Sequence, residues 1–124
     1  MSKMLEEFNK IINELKDDLG EGLVACDIWH SKDAQSLAGF NSQPKAVALF
    51  NEVTRMLDKT TNESDFPRLG NYYIVHLEND LLVVVVFFGD YQFGSLIDLS
   101  KTTMGILISV ALPKLLKTLD EAVS

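Results

Sequence analysis

Near the N-terminus, Leu5, Phe8, Ile12, Leu15 and Leu19 recur every three or four residues, with Met4 and Ile11 widening the stripe. That period is the mark of an amphipathic helix and predicts one over roughly 3–18. Ser2 suits its N-cap, Glu6 and Glu7 suit the positive end of its dipole, and Gly20 suits its C-terminal stop. Its polar face, Glu7, Glu14, Asp17 and Asp18, reads as solvated surface. Beyond it the periodicity shortens. Leu23 to His30 predicts a strand, Ser31-Lys32-Asp33 a polar turn, and Gln35 to Phe40 a second strand paired as a hairpin. Asn41-Ser42-Gln43-Pro44 is a cap cluster with proline in the first helical turn, where its missing N–H matters least. It predicts a second helix as far as Asp58, followed by a polar, turn-rich loop from Lys59 to Pro67.

Three strands then follow in a meander, Leu69 to Glu78, Leu81 to Phe88 and Ser95 to Leu99. Asn79-Asp80 falls where a two-residue hairpin turn is expected, and Gly89 to Gly94 forms the second turn. The run from Leu81 to Phe88 is apolar without alternation, which predicts burial on both faces and a central place in a sheet flanked by helices on both sides. A last helix runs from Thr102 to Ala122, with Met104, Leu107, Ile108, Ala111, Leu112, Leu115, Leu116 and Leu119 as its apolar positions. Pro113 lies inside it and leaves the Ser109 carbonyl without its donor, predicting a kink or break. The order α-β-β-α-β-β-β-α predicts an α/β fold of the α+β type, a single domain over residues 1–124.

Charge narrows the function classes. With 11 Lys+Arg against 18 Asp+Glu the net charge is −7, which disfavours nucleic acid and anionic membrane surfaces as partners. A hydrophobic fraction of 47% is ordinary for a globular chain. The lone cysteine, Cys26, cannot form an internal disulfide, and no leader-like apolar stretch opens the chain. Its longest apolar run, Leu81 to Phe88, falls well short of the roughly 20 residues needed to span a membrane. A cytoplasmic protein without direct membrane insertion is expected.

Candidate chemistry is sparse. No catalytic, cofactor or metal motif occurs; Gly89 to Ser95 has phosphate-loop glycine spacing but carries Ser95 where a lysine is needed, and it precedes a strand. Cys26 and His30 share one face of the first strand, but with sheet order 2-1-5-4-3 His76 would lie three strands away, roughly 14 Å off and too far to share a metal. Cys26 reads as a small core residue. Asp27, on the opposite face with Trp29, reads as solvated or rim-facing in preference to a buried carboxylate.

The second helix is more informative. Ala46, Leu49, Phe50, Val53 and Leu57 form a core stripe, while Val47, Asn51, Thr54 and Asp58 form a second, mostly small and uncharged one. A helix covered on more than one side suits a subunit interface. In the third strand Tyr72, Ile74 and His76 face one way and Tyr73, Val75 and Leu77 the other, and no lysine or proline interrupts Asn71 to Leu77. Such an edge is open to pairing with a second copy, which would generate a twofold dimer.

These features together resemble the roadblock family of dynein light-chain-like domains and their bacterial relatives, a profilin-like architecture. The resemblance spans about Met4 to Ala122 and rests on the element order and on three segments: Gly22-Leu23-Val24-Ala25-Cys26-Asp27, the apolar second helix, and Tyr72 to Val85 across the central hairpin. It departs after the first strand, where Trp29 to Ala34 stands in place of the family's short Asp/Gly turn. The resemblance implies a five-stranded antiparallel sheet between helices. It also implies homo- or heterodimers joined through helix two and strand three, acting as non-enzymatic platforms that regulate small Ras-like GTPases or serve as motor adaptors. Carried onto this chain, the dimer surface would use Val47, Phe50, Asn51, Thr54, Tyr72 and Ile74. The expected function is a homodimeric scaffold for a Ras-like GTPase that positions the GTPase's own groups; Arg55 and Arg68 are the two residues able to act as an arginine finger, which is not expected. Two rivals are a small-molecule sensory module with Trp29, His30, Phe40, Phe66 and Phe93 lining a pocket, and a small acyl or thioester hydrolase using Asp27 and a histidine.

Overall fold

The computed structural model describes residues 2–124. Helix α1 spans Lys3–Leu19, capped by Ser2, whose hydroxyl oxygen accepts the Met4 N–H at 3.1 Å. A 3₁₀ turn, Gly20–Gly22, leads into β1 (Leu23–His30) and β2 (Ser36–Phe40). Helix α2 spans Pro44–Glu63, and the meander follows as β3 (Tyr72–His76), β4 (Leu81–Phe88) and β5 (Tyr91–Asp98). The C-terminal helix is built in three pieces, α-helical over Met104–Ile106, a π-turn over Leu107–Ala111, and α-helical again over Leu112–Val123.

All neighbouring strands are antiparallel, in the order β2-β1-β5-β4-β3. The sheet order expected from the sequence is therefore the one observed, with β5 in the middle and β4 beside it. Alternation divides the strands between two layers. Cys26, Ile28, Leu82, Val84, Val86, Phe88, Phe93 and Ile97 pack under α1 and the C-terminal helix, against Phe8, Leu15, Leu107, Leu115 and Leu119. Trp29, Val83 and Val85 point the other way, toward α2, and are buried as well. β4 is thus apolar on both faces because both faces are covered.

Several boundaries move. Helix α2 continues past Asp58 to Glu63, with the Thr61 hydroxyl donating to the Leu57 carbonyl at 2.8 Å. Polar residues there mark an exposed face of a helix, and the loop shrinks accordingly. β3 is shorter than expected, at Tyr72–His76. β5 begins at Tyr91, so the turn before it is only Gly89-Asp90, with Gly89 at φ +61°. Gly94 belongs to the strand: a Cβ there would lie 2.8 Å from the Trp29 ring, so glycine makes room for the indole. The other hairpin turn is as expected, with Asn79 and Asp80 both left-handed at φ 62° and 59°, the geometry of a two-residue primed turn. In the C-terminal helix Pro113 is accommodated by the π-turn, in which the Leu112 N–H reaches the Leu107 carbonyl. The widened turn shifts the phase of the apolar stripe: Leu107, Ala111, Leu112, Leu115 and Leu119 are buried, while Met104 and Ile108, expected in the stripe, are exposed.

Candidate protein-protein interface

Helix α2 is turned relative to the sequence expectation. Val47 is its one buried residue at 2% exposure, whereas Leu49 and Met56 stand 57% and 59% exposed. At about 100° per residue, Val47, Asn51 and Thr54 lie within one narrow arc that faces the sheet. Ala46, Phe50, Val53 and Leu57 lie on the adjoining flank, half-buried. The two stripes have exchanged roles: the one expected in the core forms an open flank, and the one expected at a subunit interface faces its own sheet.

Three strand residues fix that rotation. The Tyr73 phenol on β3 bonds with the Thr54 hydroxyl at 2.9 Å and donates to the Phe50 carbonyl at 3.4 Å, so this turn of α2 sits over the edge strand. Burial raises the Tyr73 pKa above its ordinary value, and the Thr54 hydrogen bond offsets part of the rise. Asn51 Oδ1 accepts from Trp29 Nε1–H at 3.0 Å and from Gln92 Nε2–H at 2.8 Å, and its Nδ2 donates to the Ser31 carbonyl at 3.1 Å. Because indole nitrogen only donates, it dictates which way the Asn51 amide points, and Asn51 in turn dictates Gln92. That chain of constraints leaves Gln92 Oε1 buried with no donor among the described residues. Of the dimer residues expected from the sequence, Val47, Asn51 and Thr54 are therefore engaged within their own chain.

Asp27 is buried at 4% exposure, not solvated as expected. Its carboxylate accepts the Gln43 N–H at 3.0 Å, the Ser36 hydroxyl at 2.7 Å and the Ser42 hydroxyl at short range. Gln43, the N-cap of α2, makes no side-chain cap of its own. Asp27 supplies that function from β1, placing a negative charge at the positive end of the helix. Opposite it on β2, a Cβ at Gly39 would sit 2.7 Å from the carboxylate oxygen, so glycine keeps the space open. The sequence signal was available in Gly39 and the Asn41–Pro44 cap cluster, but only the strand register joins them to Asp27.

β3 pairs with β4 alone and forms one edge of the sheet. Tyr72 is 42% exposed on it, Ile74 packs partly against the main core, and His76 is exposed. The open flank of α2 and this unpaired edge lie side by side, linked through Tyr73.

The residues nominated for the rival readings do not gather. Phe93 lies in the main core, Phe40 lies on β2 beneath the Lys16 ammonium at 4.4 Å, and Phe66 is 70% exposed. His30 Nδ1 accepts the Lys32 N–H at 3.1 Å on the strand face opposite Asp27, and His76 lies on the far edge. Burial pushes the Cys26 thiol up to about 12, which keeps it protonated at neutral pH. Arg55 is held by Glu52 in a bidentate pair at 2.5 and 3.0 Å, and Arg68 lies 3.6 Å from Asp58. Two cavities flank α2, one of about 420 Å³ bordered by Ser31, Asn51, Asp58 and Tyr91, and an apolar one of about 210 Å³ bordered by Trp29, Val47, Phe50 and Leu77. Among the described residues no group of three or more His, Cys, Asp or Glu could hold a metal ion, and no helix is long and apolar enough to cross a membrane.

In backbone, the chain is similar to the gliding protein MglB from Thermus thermophilus, at TM-score 0.80 and 10% identity over 98% of this chain and 92% of that one. It is similar to Myxococcus xanthus MglB at TM-score 0.75 and 11% identity, over 100% and 96%. It is also similar to a Roadblock/LC7 domain from Streptomyces avermitilis at TM-score 0.65 and 11% identity, over 93% and 96%. By sequence it matches no family model and no curated protein. The structural likenesses establish that this chain has the roadblock fold.

Proposed function

We propose that this roadblock-fold chain is a non-enzymatic, cytoplasmic homodimeric scaffold that binds a small Ras-like GTPase. The observation that carries the reading is the open apolar flank of α2 beside the unpaired edge of β3. Edge strands left without charge or cover invite pairing, and a second β3 would satisfy the backbone groups and join two sheets into one. Phe50 remains in the proposed contact with Leu49, Val53 and Met56 on the α2 side of the edge strand, while Tyr72 and Ile74 remain in it on the strand's other face, in register with Val86 and Val84. Val47, Asn51 and Thr54 support that face from behind by fixing how α2 sits. The likeness to MglB and the roadblock domain supports a regulatory scaffold, and the GTPase is proposed on the roadblock resemblance.

In this reading the scaffold biases the GTPase's own catalytic groups. Both arginines are exposed and pair only weakly with carboxylates of their own chain, and positioning of the GTPase's own groups is proposed in preference to a donated finger. Arg55→Ala and Arg68→Ala should leave GTP turnover by the bound GTPase within a few-fold; a loss of ~10³-fold would show a finger instead. The partner is tested by capture from native lysate on the immobilised chain, with the nucleotide of any bound GTPase identified. Capture of a GTPase in one nucleotide state is expected, and its absence from repeated captures that retain other proteins would overturn the reading. A second reading, a small-molecule sensory role, draws on the 420 Å³ cavity, whose size suits a small ligand. A reproducible rise in melting temperature with one class of metabolite would favour it.

A further inference from the structure

The N-terminal half of α2 does not fill the space over its own sheet. The apolar cavity of about 210 Å³ lies between them, with Ala46, Val47 and Phe50 on the helix and Trp29 and Val83 on the strands. Small residues meet there, Ala25 from β1, Ala46 from α2 and Gly94 from β5. Protein interiors seldom leave so large a space unfilled. Its polar neighbours are already engaged. Asp27, the one carboxylate on its border, accepts from the Gln43 N–H and from the Ser36 and Ser42 hydroxyls, and the Trp29 N–H is taken by Asn51. What remains to line the space is hydrocarbon and aromatic ring. Water fits it poorly, because a buried water needs roughly two to four polar partners, whereas an apolar cavity of about 150 Å³ is enough to hold benzene.

We propose that this cavity binds a compact, uncharged, apolar molecule of about the size of a single ring, which fastens α2 to the sheet. Size and polarity select the occupant. The volume admits one ring, the Trp29 and Phe50 side chains suit a ring in edge or offset contact, and no free donor or cation is at hand to hold a charged group. The site shares no lining residue with the larger cavity beside Asn51, and it does not depend on the dimer. Its effect on the fold follows from how α2 is held. Val47 is the one buried residue of that helix and borders the cavity, so an occupant adds apolar contact where the helix has least.

Toluene and benzoate, alike in ring and unlike in charge, are the probes, titrated against the full chain. Toluene should raise the melting temperature by roughly 4 °C at ten times its dissociation constant. It should also change the emission of Trp29, the single tryptophan, and slow amide exchange selectively over residues 44–50. Benzoate at the same concentrations should do none of this, because its carboxylate would be buried without a partner. Ala46→Leu should fill the space, raise the melting temperature without toluene and abolish the toluene response. Leu96→Phe, on the cavity's strand side, should abolish it too and serves as the test if Ala46→Leu does not fold. Absence of a toluene response, an equal response to benzoate, or a toluene response retained by the folded variants overturns the proposal. A toluene effect confined to the sedimentation mass would give the space to a side chain of a second copy and equally overturn it.

Discussion

Trp29 is the chain's single tryptophan and is 1% exposed, with its indole N–H bonded to Asn51. Asn51→Ala should leave that buried N–H with no acceptor and the Gln92 amide with the Ser31 hydroxyl alone, at 3.0 Å. At about 1–3 kcal/mol per abandoned group, a loss of about 3 kcal/mol is expected in urea unfolding, together with altered native Trp29 fluorescence. An unchanged unfolding midpoint would show that water replaces Asn51 at no cost. Asp80 offers the opposite test. It holds a left-handed conformation at φ 59° that a side chain disfavours. Asp80→Gly should raise stability by about 1 kcal/mol and the melting temperature with it. At this scale the chemistry was only partly legible: the Asn79-Asp80 turn is written in adjacent residues, whereas Asp27 reads as solvated until Gly39 and Gln43 are brought against it.

Among the elements, α1, β4 and the first hairpin are encoded locally, and periodicity finds them. The rotation of α2 is not encoded that way. Both of its stripes are apolar enough to serve as a core, and the choice is made by Trp29, Tyr73 and Gln92, which lie 22, 19 and 41 residues away from their partners on the helix. The start of β5 was hidden for a similar reason, because Gly94 answers to an indole on another strand and not to a turn. The way α2 is attached makes a prediction of its own. With Val47 as its one buried residue, the helix depends on polar anchors, and Asp27 anchors its N-terminus. Asp27→Ala should destabilise by about 2–3 kcal/mol, with amide exchange accelerated selectively over residues 44–50. Uniform acceleration across α1 as well would mean that Asp27 stabilises the sheet and not the helix.

Across the whole molecule, the two faces of the sheet differ in kind. Under α1 and the C-terminal helix lies a core of large apolar side chains, whereas α2 sits over a layer that carries a polar network, its outer flank apolar and half open. Glu6, Glu7, Glu14, Asp17 and Asp18 lie on α1, across the sheet from α2. On the proposed dimer, a second copy completes the side where α2 meets β3. The most direct test is sedimentation equilibrium at low micromolar concentration on the wild-type chain and on a Leu49→Glu, Tyr72→Lys double variant, both changes made at exposed positions. A wild-type dimer is expected, and a variant that is monomeric with an unaltered circular dichroism spectrum. A wild-type monomer, or a folded variant that remains dimeric, would contradict it.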